Sequence, residues 1–108
     1  MQFLDALQLI RKHYNTLEYS EDIEVIKINK LLDFSNFYFI ALIDNDGQAI
    51  LSDMGKTGEL IELPQEEWHR LASEYDINYS EYTLSTPIND IKDLYNFITL
   101  LDSVAKDN

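Results

Sequence analysis

The stretch "FYFIALIDNDGQAILS", residues 37–52, decides the fold. Its first part, 37–43, is the longest unbroken apolar run in the chain. At about a third of the length a membrane-spanning helix needs, it reads instead as a buried strand. "DNDG" at 44–47 supplies turn chemistry, and "QAILS" at 48–52 resumes the apolar pattern. The stretch therefore predicts two antiparallel strands joined as a hairpin. Both alternating faces of 37–43 are apolar, so that strand is expected to be covered on two sides by the chain's own helices, or to leave one face for a partner.

On the N-terminal side, "IEVIKIN" at 23–29 is β-branched and roughly alternating, which predicts a further strand. Before it, Phe3, Leu7, Ile10 and Tyr14 recur at helical spacing with Leu4 and Leu17 beside them, predicting an amphipathic helix that ends near Asn15. On the C-terminal side, "ELIEL" at 59–63 suggests a short strand after the glycine-rich 52–58. Pro64, Glu66 and Glu67 then mark a helix start, and Trp68, Leu71, Ala72 and Tyr75 carry that helix over 64–76. "YTLSTPI" predicts a last strand stopped by Pro87. Asn89 or Asp90 is then placed to cap a final helix reaching about Ala105, with Ile91, Leu94, Tyr95, Ile98, Leu101 and Ala105 as its core stripe. The order α-β-β-β-α-β-α over 1–108 implies one α+β domain with a small, mostly antiparallel sheet of four or five strands and three helices.

Composition narrows the function. Twenty acidic residues against eight basic ones give a net charge of −12, while 45% hydrophobic content suits a folded domain. Direct binding to nucleic acid or to an anionic membrane is disfavoured, and a basic protein or a divalent cation is the natural complement. There is no cysteine, hence no disulfide or thiolate metal site. The opening "MQFLDALQLIRKHY" lacks the features of a signal peptide, so a cytoplasmic location is expected.

"LSDMGKTGEL", residues 51–60, holds a Gly-Lys-Thr like the end of a phosphate loop. The first glycine of that motif would fall at position 50, which is Ile50, and Asp53 would oppose a phosphate. The reading preferred is a turn built on Ser52, Asp53, Gly55 and Thr57, with Asp53 accepting backbone amides. A calcium loop fails similarly. With Gly47 at the sixth position, Asp44 and Asp46 fit, but Leu42 occupies the first position and Asp53 the last. His13 and His69 have no second ligand at helical spacing, and no nucleophile motif occurs. The element order matches that of a PD-(D/E)xK nuclease core, yet "QAILS" lacks the acid-x-lysine that would hold Mg²⁺, and Glu24 with Lys27 lies on the first strand.

Two acidic and aromatic stretches remain, "LEYSEDIE" at 17–24 and "SEYDINYSEY" at 73–82, without a basic residue in either. Charges between elements commonly form a solvated rim. Tyrosine, however, favours interfaces, and carboxylates on a rigid surface can imitate phosphates. Glu18, Tyr19, Glu21, Asp22, Glu74, Asp76, Tyr79, Glu81 and Tyr82 are the candidate partner-binding residues on this reading.

"DNDGQAILSDMGKTGEL", the Trp-bearing helix and "DINYSEYTLSTPI" resemble an uncharacterised bacterial and phage domain family whose hallmark is a hairpin ending in Ser/Thr-Asp-x-Gly-x-Thr. Here that motif is Ser52, Asp53, Gly55 and Thr57, and the likeness spans roughly 20–105. The resemblance implies an α+β fold and a bacterial or mobile-element origin, but no activity. The leading expectation is a non-enzymatic acidic interaction module without cofactor or metal, an inhibitor that mimics nucleic acid and blocks a basic nucleic-acid-binding defence protein. A Mg²⁺-dependent enzyme acting on phosphates through Asp44, Asp46 and Asp53 is the second class. An accessory or immunity domain that dimerises through its apolar strand face is the third.

Overall fold

A computed structural model describes residues 1–27 and 39–106. Its elements are α1 (Phe3–Arg11), β1 (Asn15–Ser20), β2 (Ile23–Lys27), β3 (Ile40–Asn45), β4 (Gln48–Ser52), α2 (Lys56–Leu60), α3 (Gln65–Glu74), β5 (Asn78–Ser80), β6 (Thr83–Pro87) and α4 (Ile91–Lys106). The fold is α+β. The strands form one sheet in the order β1-β2-β3-β4-β6-β5, and every adjacent pair is antiparallel.

Six strands and four helices among the described residues exceed the four or five strands and three helices expected. β1 replaces the predicted last turn of α1, which stops at Arg11 and leaves Leu17 on a strand and half-exposed. Residues 59–63 form no strand, because Glu59 and Leu60 continue the short α2. The predicted strands 23–29 and 37–43 hold over 23–27 and 40–43, and their remaining residues fall outside the described ones except Phe39, which is described but lies in no strand.

The central hairpin forms as expected. Asn45 pairs with Gln48, so Asp46 and Gly47 are a two-residue loop, both with positive φ, and Asp44 Oδ1 accepts the Gly47 amide at 2.7 Å. That is the type I′ geometry matching strand twist. α1 starts on this loop: the Phe3 amide donates to the Gly47 carbonyl at 3.0 Å and the Ala49 amide to Met1 at 2.9 Å. Its apolar face, Phe3, Ala6, Leu7 and Ile10, then lies buried in the core, while Leu4 is exposed.

Ile26, Ile40, Leu42, Ala49, Leu51 and Leu84 supply the sheet's side of the core, opposed by α1, Trp68, Leu71 and Ala72 of α3, and the stripe of α4. That stripe is broader than predicted. Phe97, Leu100 and Val104 join it fully or almost fully buried, and Tyr95 is exposed. Each such aliphatic or aromatic side chain contributes about 1.5–3 kcal/mol through burial. Val25 and Ala41, on the other face of the sheet, are also buried but lie outside that cluster.

Two helix ends are built from carboxyl residues. Asp93, the third residue of α4, reaches back to accept the amides of Asp90 at 3.1 Å and Asn89 at 2.8 Å, the reverse half of a capping box. Asp76, at φ 57, ends α3: its amide donates to Ser73 and that of Ile77 to Ala72, a Schellman pattern in which glycine would be unstrained.

Candidate functional site

β4 ends at the Ser-Asp-x-Gly-x-Thr turn. Ser52 Oγ accepts the Met54 amide at 2.9 Å, and Asp53 Oδ1 accepts those of Gly55 at 2.9 Å and Leu84 at 3.0 Å. Thr57 adds hydrogen bonds to the same carboxylate from its hydroxyl and its amide. Asp53 is 1% exposed, and burial pushes its carboxyl above the usual range, a rise these hydrogen bonds oppose. The amides that a phosphate would need at the start of α2 are thus already given to the protein's own anion. α2 begins despite Gly58 because this carboxylate satisfies its first donors.

The same carboxylate ties β4 to β6. The Asp53 amide donates to the Leu84 carbonyl at 3.1 Å while its side chain receives the Leu84 amide, so the side chain replaces a backbone acceptor at the ladder's end. Gly55 lies under the next hairpin: a Cβ there would meet Thr83 Oγ1 at 3.6 Å and the Tyr82 carbonyl at 3.7 Å. The motif is therefore a clamp on the β5–β6 hairpin.

That hairpin turns through Glu81 and Tyr82, since Ser80 pairs with Thr83. Their φ angles are 50° and 65°, left-handed values that cost about 1–2 kcal/mol per residue without glycine. Tyr82 nevertheless stands 66% exposed. Beneath it opens a groove of about 860 Å³ between the turn, α2 and the start of α3. Trp68 and Tyr79 stack at 6.0 Å between centroids, and the His69 ring meets Tyr79 edge-on at 4.9 Å. Burial, then Tyr82 and Asp53, raise the Tyr79 hydroxyl above its ordinary value. Glu59, Glu62 and Glu81 are the charged lining residues, with no lysine or arginine among them.

The two acidic stretches are both hairpins. Glu18 and Tyr19 lie on β1, with a bulge between Glu18 and Ser20, and Glu21 with Asp22 forms the β1–β2 loop. Tyr79, Glu81 and Tyr82 belong to the β5–β6 hairpin and line the groove. β1 and β5 are opposite edges of the sheet, separated by five strand spacings, about 24 Å. The two hairpin loops also point to opposite ends of the sheet, because β2 and β6 run antiparallel to the strands that each follows and joins. Three of the acids are structurally engaged. Glu74 pairs with Arg70 at 2.7 Å, Asp76 stops α3, and Glu24 is buried with Oε1 3.2 Å from Arg11. Asp76 also lines a second, polar cavity of about 300 Å³ with Asn78 and Asp93.

Asp44 and Asp46 lie at one end of β4 and Asp53 at the other, about 15 Å of strand away. The three do not converge, and among the described residues no group of three or more His, Asp or Glu is arranged to hold a metal ion. His13 faces the Tyr95 hydroxyl at 3.5 Å. No helix among the described residues is long and apolar enough to cross a membrane.

Trp68, Glu59 and Glu62 were not candidates from sequence. A detectable signal existed for the turn: Glu81 and Tyr82 sit between residues of β propensity at hairpin spacing, without the glycine such a loop favours. No protein-family model matches the chain, and neither a curated protein nor a solved structure matches it.

Proposed function

We propose that this chain is a non-enzymatic acidic interaction module that engages a basic protein and competes with nucleic acid for that protein's surface. The observation that carries the reading is the Glu81–Tyr82 turn: both residues are held in left-handed backbone, and Tyr82 is nonetheless presented to solvent. Strain of this kind clusters at functional sites, and tyrosine beside carboxylates is the composition of an interface anchor for a cationic surface. A net charge of −12 supports attraction of a basic partner and opposes self-association of two copies.

The likeness of Ser52, Asp53, Gly55 and Thr57 to the bacterial and phage hairpin motif favours an inhibitor of a bacterial defence protein. The metal-dependent enzyme loses support because its three carboxylates lie at two ends of one strand. The test is capture of partners from a bacterial lysate, followed by competition on the captured protein with its own nucleic acid. Salt-sensitive capture of a basic protein whose nucleic acid this chain displaces is the expected result. Simultaneous binding of the chain and the nucleic acid would refute mimicry.

A further inference from the structure

We infer that the groove under the Glu81–Tyr82 turn receives an arginine-bearing segment of the partner, the guanidinium lying against the exposed Tyr82 ring and paired with the rim carboxylates. This assignment rests on the acidic-module reading and narrows it to one site and one side-chain chemistry. Three observations converge. The groove's volume, about 860 Å³, is in the upper part of the range for ligand pockets and exceeds a single side chain, so it suits a short chain segment. Its charged lining is entirely carboxylate: Glu59, Glu62 and Glu81. Its rings are Trp68, Tyr79 and Tyr82, with the first two stacked and only Tyr82 strongly exposed.

Other occupants fit less well. An anion meets three carboxylates and no cation. A wholly apolar ligand would bury those carboxylates unpaired. A metal ion needs converging ligands, which the described residues do not provide. Arginine satisfies both halves of the lining, because its planar guanidinium stacks on aromatic faces and bonds carboxylates in a fork, whereas lysine is a point charge that gives up hydration less readily. The clamp from Asp53 to Leu84 holds the turn over the groove, so the site is formed before the partner arrives.

The probe is the peptide acetyl-Gly-Leu-Arg-Leu-Gly-amide, titrated into the full chain while the indole N–H signal of Trp68, the single tryptophan, is followed by NMR. A saturable shift with Kd below about 1 mM is expected. Replacing arginine by neutral, isosteric citrulline should weaken binding about tenfold, as should Tyr82→Asn, which removes the ring at a left-handed position that asparagine tolerates. Glu59→Gln with Glu62→Gln should do the same, whereas Glu18→Gln with Glu21→Gln, equal in charge but on the far edge, should leave affinity unchanged. Equal binding of the citrulline peptide, no shift at millimolar peptide, or equal loss from the far-edge pair would overturn the assignment. A basic protein partner that still binds Tyr82→Asn and the Glu59, Glu62 double variant at full strength would overturn the groove while leaving the module reading in place. Partner binding indifferent to salt would overturn the module reading itself.

Discussion

Asp53 Oδ1 lies 3.0 Å from the backbone nitrogen of Leu84, a residue 31 positions away, and this one bond joins the motif turn to the hairpin that roofs the groove. Because both groups are buried, the bond is harder to replace than a surface one. Asp53→Ala should cost about 3 kcal/mol by stranding the Leu84 amide, whereas Asp53→Asn, which keeps an acceptor oxygen, should cost less than half of that. Urea unfolding of the two variants checks this, and equal losses would mean that the amide finds another partner.

Asp53 also gives stability a pH dependence of definite sign. Its carboxyl is raised above 3.8 in the folded chain by burial, so the folded state holds the proton more tightly than the unfolded state. The stability from this group is complete below the unfolded value and is lost as pH rises through the folded one. Between about pH 3 and about pH 7 the stability of the wild type relative to Asp53→Asn should therefore fall. A rising difference over that interval would show that hydrogen bonding outweighs burial at this site.

Relaxing the hairpin turn should separate stability from binding. Glu81→Asn with Tyr82→Gly places the residues preferred by a type I′ loop and should raise stability by about 1–2 kcal/mol. The same change should weaken association with a basic partner. If thermal unfolding does not move upward, the turn is not strained as its φ angles indicate.

The Arg11–Glu24 pair differs from the surface pairs made by Arg70. Glu24 lies on the core side of β2, paired across the sheet with Leu42, and its Oε2 has no hydrogen-bond partner among the described residues. Arg11→Ala should cost about 2 kcal/mol by leaving that carboxylate uncompensated, a figure reduced because the arginine is half-exposed. Arg11→Met combined with Glu24→Leu should recover the loss, since a well-packed apolar pair avoids the desolvation. Chemical denaturation of the single and double variants decides it.

What the residues announced depended on how local the signal was. The β3–β4 hairpin was legible because Asp46 and Gly47 give both the turn type and its place between apolar runs. α3 was legible from Pro64 and the following glutamates. β1 was not, because an edge strand exposed on most of its residues shows no alternation, so Asn15–Ser20 merged with the preceding helix. α2 was hidden by Gly58, whose cost is offset by a carboxylate three residues before the helix starts. The acidic stretches were recognised as a composition, but only strand order shows that Glu18 and Glu81 belong to opposite edges. The groove could not be read locally, since its glutamates, tryptophan and tyrosines come from three separate segments.

The order of the strands sets a ruler for anything that would engage both acidic edges at once. An edge-to-edge span of about 24 Å corresponds to roughly seven fully extended residues. Two basic segments joined by a shorter tether can occupy only one edge of a given molecule and would cross-link two copies. With a longer tether both can settle on the same copy, the second capture becoming intramolecular and the apparent affinity rising with the effective concentration that the tether creates.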